Sequence, residues 1–281
     1  MKHFIKSALL IAMFGMVLSL VFVRCGKKEE KVIDEEITKD SASTDAKLKL
    51  EQVFQNIPSP IEMSKELAKS GFTYNKNVMN SSSKSSSYSS NYKAAVNLGV
   101  FGADLGYSTS YAQTQDALGY LNTSKQLADK VGVGAAFDET MLKRFDGNIA
   151  NKDTLESIIN NAYDKASRNL RSNQRVSTAA VVASGGWIEA LYITTQMLKG
   201  VPRTDKNEPV FNRAWGQLYA YTYVSEILTL YQKNADCAQL LKELAPVAEL
   251  ADAYGKKSTL TAEDITVISE KVAAVRNGLV N

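Results

Sequence analysis

Asp153–Gly200 reads DTLESIINNAYDKASRNLRSNQRVSTAAVVASGGWIEALYITTQMLKG. Leu155, Ile158, Ile159, Ala162, Ala166 and Leu170 recur at spacings of one, three and four, the apolar stripe of an amphipathic helix over Thr154–Arg171, with Asp153 in the capping position. After the polar break Ser172–Arg175 the pattern resumes: Val176, Ala180, Ala183, Trp187, Leu191, Thr194 and Leu198 define a second helix to Lys199. Gly200 ends it and Pro202 confirms the break. Two long helical patterns joined by so short a connection predict an antiparallel helical hairpin.

The same period extends in both directions. Tyr92–Gln113 carries Ala94, Ala95, Leu98, Phe101 and Leu105 on one side. Its Gly99, Gly102 and Gly106 would let another helix approach closely, at a helix-propensity cost of about 1 kcal/mol each. A further helix is expected near Thr114–Val131, and Pro209 opens one to about Gln232. Cys237–Tyr254 reads as a helix bent at Pro246. Thr261 and Asp264 form a capping box ahead of Ile265, Ile268, Val272, Val275 and Leu279. Nearer the start, a short helix is expected over Leu48–Gln55. Ser59, Pro60 and Glu62 then predict another helix start, with the capping box closed between Ser59 and Glu62, and Gly71 as its stop. Alternating strand patterns and hairpin turns are missing. The expected fold is all-α: a multi-helix bundle of antiparallel hairpins, about eight to ten helices, forming a single domain over 48–281 with a Ser-rich loop at 80–91.

Before that domain the chain changes character. Lys2 and Lys6 precede the uncharged, apolar stretch Ser7–Val23, followed by Arg24, Cys25 and the polar run KKEEKVIDEEITKDSASTDAK at Lys27–Lys47. A basic start and an apolar run form an export signal over 1–24, or an N-terminal anchor, since the run is just long enough to span a bilayer. Residues 25–47 read as a flexible charged tether.

Charge and composition exclude several functions. The chain has 33 Lys and Arg against 30 Asp and Glu. Lys2, Lys6 and Arg24 all lie in the leader, so without it 30 basic residues face 30 acidic ones. A nucleic-acid surface is not expected of a neutral domain. The single histidine, His3, is also in the leader, which removes Ser-His-Asp and Cys-His catalysis and His-ligated zinc from the domain. With only Cys25 and Cys237, a disulfide framework is excluded. No cofactor, metal site or catalytic residue is expected.

The remaining candidates are few. Asp104 and Glu189 each sit in an uncharged stretch, with Tyr107, Tyr111 and Tyr192 near in sequence. Buried carboxylates need hydrogen bonds or a proton, so Asp104, Tyr107, Glu189 and Tyr192 are either structural or the lining of a small-ligand pocket. Tyr219 and Tyr223 fall on a different helical face from Trp215 and Leu218 and could meet a sugar, a peptide or a protein. Ser81–Lys84 fits S-x-x-K and Lys69–Gly71 fits K-[ST]-G, but their order is reversed and S-D-N is missing, so both are coincidence. Val131–Ala135, VGVGA, reads as a loop between helices rather than a phosphate cradle.

The junction at Cys25 resembles bacterial lipoprotein signals, in which the cysteine after the apolar run becomes the lipidated first residue. Arg24 and Phe22 stand where such signals carry a small residue and Leu. The phrases NIPSPIEMSKELAKSGFTYN (Asn56–Asn75) and NLGVFGADLGYSTSY (Asn97–Tyr111) resemble a family of predicted lipoproteins of Bacteroidota-type bacteria with no assigned activity. That resemblance covers most of the chain after the leader. It implies lipidation of Cys25, anchorage in the cell envelope, and display on the outer membrane suggested by Lys28-Glu29-Glu30. Asp40-Ser41-Ala42 and Asp153-Thr154-Leu155 are similar to the short O-glycosylation pattern of exported proteins in that group, with Ser41 the better placed. The expectation is an envelope-anchored, non-enzymatic lipoprotein with a protein partner. A small-ligand binder near Asp104 and Glu189 is the alternative, and a carboxylate hydrolase the third.

Overall fold

A stripe of glycine decides how the centre is built. The computed structural model describes residues 51–281; Cys25, Ser41, the leader, the tether and the start of the domain at residue 48 lie outside the described residues. The helices are α1 (Pro60–Lys69), α2 (Asn91–Ser110), α3 (Thr114–Val131), α4 (Glu139–Asp146), α5 (Lys152–Ser172), α6 (Val176–Leu198), α7 (Glu208–Tyr219), α8 (Tyr221–Leu230), α9 (Ala235–Glu243), α10 (Ala245–Tyr254) and α11 (Ala262–Val280). Residues 51–56 are also helical, and no strand occurs among the described residues. The protein is an all-α helical bundle.

α2 and α6 form the axis, and α2 is buried on every side: from Tyr92 to Ser110 only Lys93 escapes. A helix apolar all round belongs inside a core. The pair meets backbone to backbone. A Cβ on Gly99 would sit 2.0 Å from the Val182 carbonyl oxygen, and one on Gly185 would sit 2.1 Å from that of Val96. α6 is, among the described residues, the one helix long and apolar enough to cross a membrane. With 78% of that apolar window buried inside the protein, it serves as the core. Around this axis α1 and α3 pack on α2, α5 packs on both, and α7, α8, α9 and α11 pack on α6. The turns after α2 and α5 are tight enough to hold Ala112 (φ 54°) and Gln174 (φ 57°) in the left-handed region.

Local chemistry differs from the expectation in four places. The capping residue of α5 is Asn151, which accepts from the Thr154 N–H at 3.0 Å, while Asp153 lies in the first turn. Ser59 precedes α1 with extended backbone but makes no side-chain cap, so the expected capping box with Glu62 does not form. The stretch from Pro209 to Gln232 is two helices rather than one, broken at Ala220. The stretch after Cys237 breaks at Leu244, because Pro246 can only occupy a first turn. The capping box of Thr261 and Asp264 forms as expected, with bonds of 3.2 and 3.0 Å.

Candidate functional site

Asp104 lies in the middle of α2 and Glu189 in the middle of α6, so the central pair brings both acids into the core; each is 0% exposed. Arg276 of α11 answers them. Its Nε donates to Glu189 Oε2 at 2.8 Å and its Nη2 to Oε1 at 2.7 Å, a two-pronged pair. One turn along α6 from Glu189, the Tyr192 ring lies over the guanidinium at 4.4 Å. Asn80 closes the cluster: its N–H and Nδ2 donate to Asp104 Oδ2 at 3.3 and 3.2 Å, and Nδ2 reaches Glu189 Oε1 at 3.5 Å. The Tyr120 hydroxyl donates to the Asn80 carbonyl at 2.6 Å.

Protonation follows from the environment. Burial, and then the Glu189 charge, hold the Asp104 carboxyl well above the usual carboxylate range, against the pull of Arg276 and Asn80. Burial raises Glu189 as well, but Arg276 opposes that by charge and hydrogen bond. Burial works against the Arg276 charge, and Glu189 more than reverses it, so the guanidinium stays protonated. Asp104 Oδ1 has no partner if both acids are ionised. With the proton on Asp104, its carboxyl donates to the Glu189 carboxylate. Asp104 neutral, Glu189 negative and Arg276 positive give a cluster with no net charge, the arrangement a dry interior tolerates.

The Ser-rich segment that contains Asn80 is more than a loop. It is a strap laid along α3. Thr123 donates to the Ser82 carbonyl, and Lys130 Nζ to those of Ser85 and Tyr88 at 2.7 and 3.1 Å. Ser90 caps α2, accepting from the Lys93 N–H at 3.1 Å. The strap and the start of α2 also hold the end of α11: the Tyr88 hydroxyl bonds the Val280 carbonyl at 3.1 Å, and Lys93 Nζ those of Gly278 and Leu279 at 3.0 and 3.2 Å. These are the carbonyls a helix end leaves unpaired.

This geometry corrects the expected pocket. Asp104, Glu189 and Tyr192 do come together, but around Arg276 and under Asn80, with no opening for a ligand. Tyr107 is not a member: its hydroxyl accepts from the Asn75 N–H at 3.0 Å, and its ring stacks on Tyr74 at 5.4 Å. A pair of hydrolytic acids must flank a substrate. These two share one amide donor and are sealed. Tyr219 and Tyr223 do not lie on a face apart from Trp215: Trp215 stacks on Tyr219 at 5.5 Å, one turn on, and Tyr223 meets Tyr219 edge-on at 6.5 Å; Tyr219 is 45% exposed, while Trp215 and Tyr223 are half-buried against the core.

An open concavity lies elsewhere. A groove of about 380 Å³ runs between residues 51–61, α2, α5 and α6, with Phe54, Ile57, Tyr163 and Val182 among its walls. Sequence reasoning missed it, and missed Asn80 and Arg276. Arg276 did carry a signal: it follows Ile268 and Val272 at intervals of four, on the apolar side of α11. The groove carried none, because its walls come from segments far apart in the chain. Comparison of this chain with protein-family models, with curated proteins and with solved structures finds no match.

Proposed function

We propose that this chain is an exported, lipid-anchored protein without enzymatic activity that holds a protein partner in the cell envelope through the aromatic row of α7 and α8. The observation that carries this reading is the exposure of Tyr219 between two half-buried aromatics. Tyr219 stands at 45% exposure between Trp215 and Tyr223, and Leu230, two turns beyond Tyr223, is 55% exposed. Stacked aromatics with a neighbouring aliphatic are the composition of an interface core, where a few tyrosines and tryptophans supply most of the affinity. The anchor rests on the sequence alone, with Cys25 following the apolar run Ser7–Val23. The reading without catalysis rests on a domain that has no histidine and on an acid pair that water and substrate do not reach.

One envelope experiment tests both halves. Cells would produce the wild type, Cys25→Ala, and the double variant Tyr219→Ala/Tyr223→Ala. The wild type is expected in the membrane fraction, and mild solubilisation should recover it with a stoichiometric protein. Cys25→Ala should leave the membrane. The double variant should stay there and lose the partner by a factor of ten or more. Membrane retention of Cys25→Ala would defeat the anchor, and partner recovery unchanged by the double variant would defeat the aromatic surface.

A further inference from the structure

We propose that the groove between residues 51–61, α2, α5 and α6 is a binding site for a single uncharged, mainly hydrocarbon molecule such as a long-chain alcohol. It is separate from the aromatic row and from the sealed acid cluster, and it stands or falls independently of the partner reading.

Three observations lead there. The first is size: about 380 Å³ lies within the range of roughly 300–1,000 Å³ typical of small-molecule sites. The second is lining. α6 presents Ala179, Val182, Ala183 and Gly186, and residues 51–61 add Phe54 and Ile57. Apolar surface of this kind gains about 25 cal/mol for each Å² taken out of water. The third is charge. Each ion at the rim already has a counter-ion within the protein. Arg171 pairs with Glu51 and also lies over the Phe54 ring at 5.1 Å, while Asp164 pairs with Arg168 one turn on. A charged head group would compete with these pairs, although the buried Nε of Arg171 is itself without a hydrogen-bond partner. A neutral one need not, and Asn160 and Ser167 at the rim are polar groups of the right type for one hydroxyl.

The site is a concavity between helices, so it takes a separate molecule rather than a bilayer face. Calorimetry on the chain without residues 1–24, which contains the whole described fold, would use 1-octanol, 1-decanol and 1-dodecanol, then the alkanoates of matching length. Saturable one-to-one binding is expected, about fourfold tighter for each added methylene until the groove is full. The alkanols should bind at least as tightly as the alkanoates. Ala183→Trp fills the groove from α6 and should weaken binding at least tenfold. Ser167→Phe does so from α5 and should act alike, so a misfolded first variant leaves the second to decide. Tyr219→Ala should change nothing. Absence of saturable binding, wild-type affinity in both filled variants, or tighter binding of the alkanoates would overturn the proposal. Adsorption to phosphatidylcholine vesicles without alkanol binding would also overturn it, since the surface would then recognise a membrane.

Discussion

Asp104 carries the sharpest consequence at the scale of a residue. An exposed aspartate titrates near about 3.9. Burial and Glu189 hold the folded one far above that, so the native state keeps a proton that the unfolded chain releases. The contribution of this proton to stability is complete below about pH 4 and is lost as the pH rises through the folded value. Asp104→Asn copies the protonated form, with an amide to donate to Glu189 in place of the hydroxyl. The variant is expected to fold, to melt higher than the wild type once the pH has risen through the raised folded value of Asp104, and to lose less stability on going alkaline. Thermal melts across the pH range check this, and parallel curves for the two proteins would contradict it. Both acids were legible as anomalies in the sequence, because charge in an apolar stretch must be resolved somehow. Their relation to Arg276 was not, because nothing local to residue 104 or 189 announces a counter-ion from α11.

At the scale of the element, helices were readable and their breaks were not. The stripes of α5, α6 and α11 repeat at helical intervals, so periodicity alone placed them. The break at Ala220 has no proline or glycine at it; the nearest glycine, Gly216, lies in the last turn of α7. The strap shows a different limit. A run of serines reads as mobile because it has no apolar stripe to bury, yet backbone carbonyls at Ser82, Ser85 and Tyr88 are bonded by side chains of α3. Those bonds depend on partners distant in the chain. The glycine pattern of α2 was legible in kind and became specific only with α6 beside it. Gly99→Ala would drive a methyl into the Val182 carbonyl and is expected to cost about 3 kcal/mol or more, at the upper end of overpacking. Gly216→Ala, on α7 with nothing within 4 Å, should instead stabilise by about 0.5–1 kcal/mol. Denaturant midpoints of the two variants, moving in opposite directions, are the measurement.

At the scale of the whole molecule, four segments distant in sequence converge on one charge cluster: the strap, α2, α6 and α11. Arg276→Met should therefore act globally. It leaves Glu189 buried without its counter-ion, and truncating one partner of a buried ion pair costs about 3–5 kcal/mol, a large share of a domain's stability. Glu189→Gln combined with Arg276→Met removes both charges and is expected to recover most of that loss. Equal instability of the single and double variants in chemical denaturation would show that packing, not charge, makes Arg276 necessary. The bundle class could be foreseen from helical period and loop length. The convergence could not, because it joins residues 80, 104, 189 and 276 through contacts that no window of sequence contains.

The position of Arg276 also sets a timetable. A chain made from its N-terminus presents Asp104 and Glu189 long before the guanidinium that neutralises one of them. Until α11 emerges, the interior of α2 and α6 holds two acids and no cation, and the strap has no helix end to grip. The last turns of α11 thus act as a clasp: the domain can close only once that helix has been made.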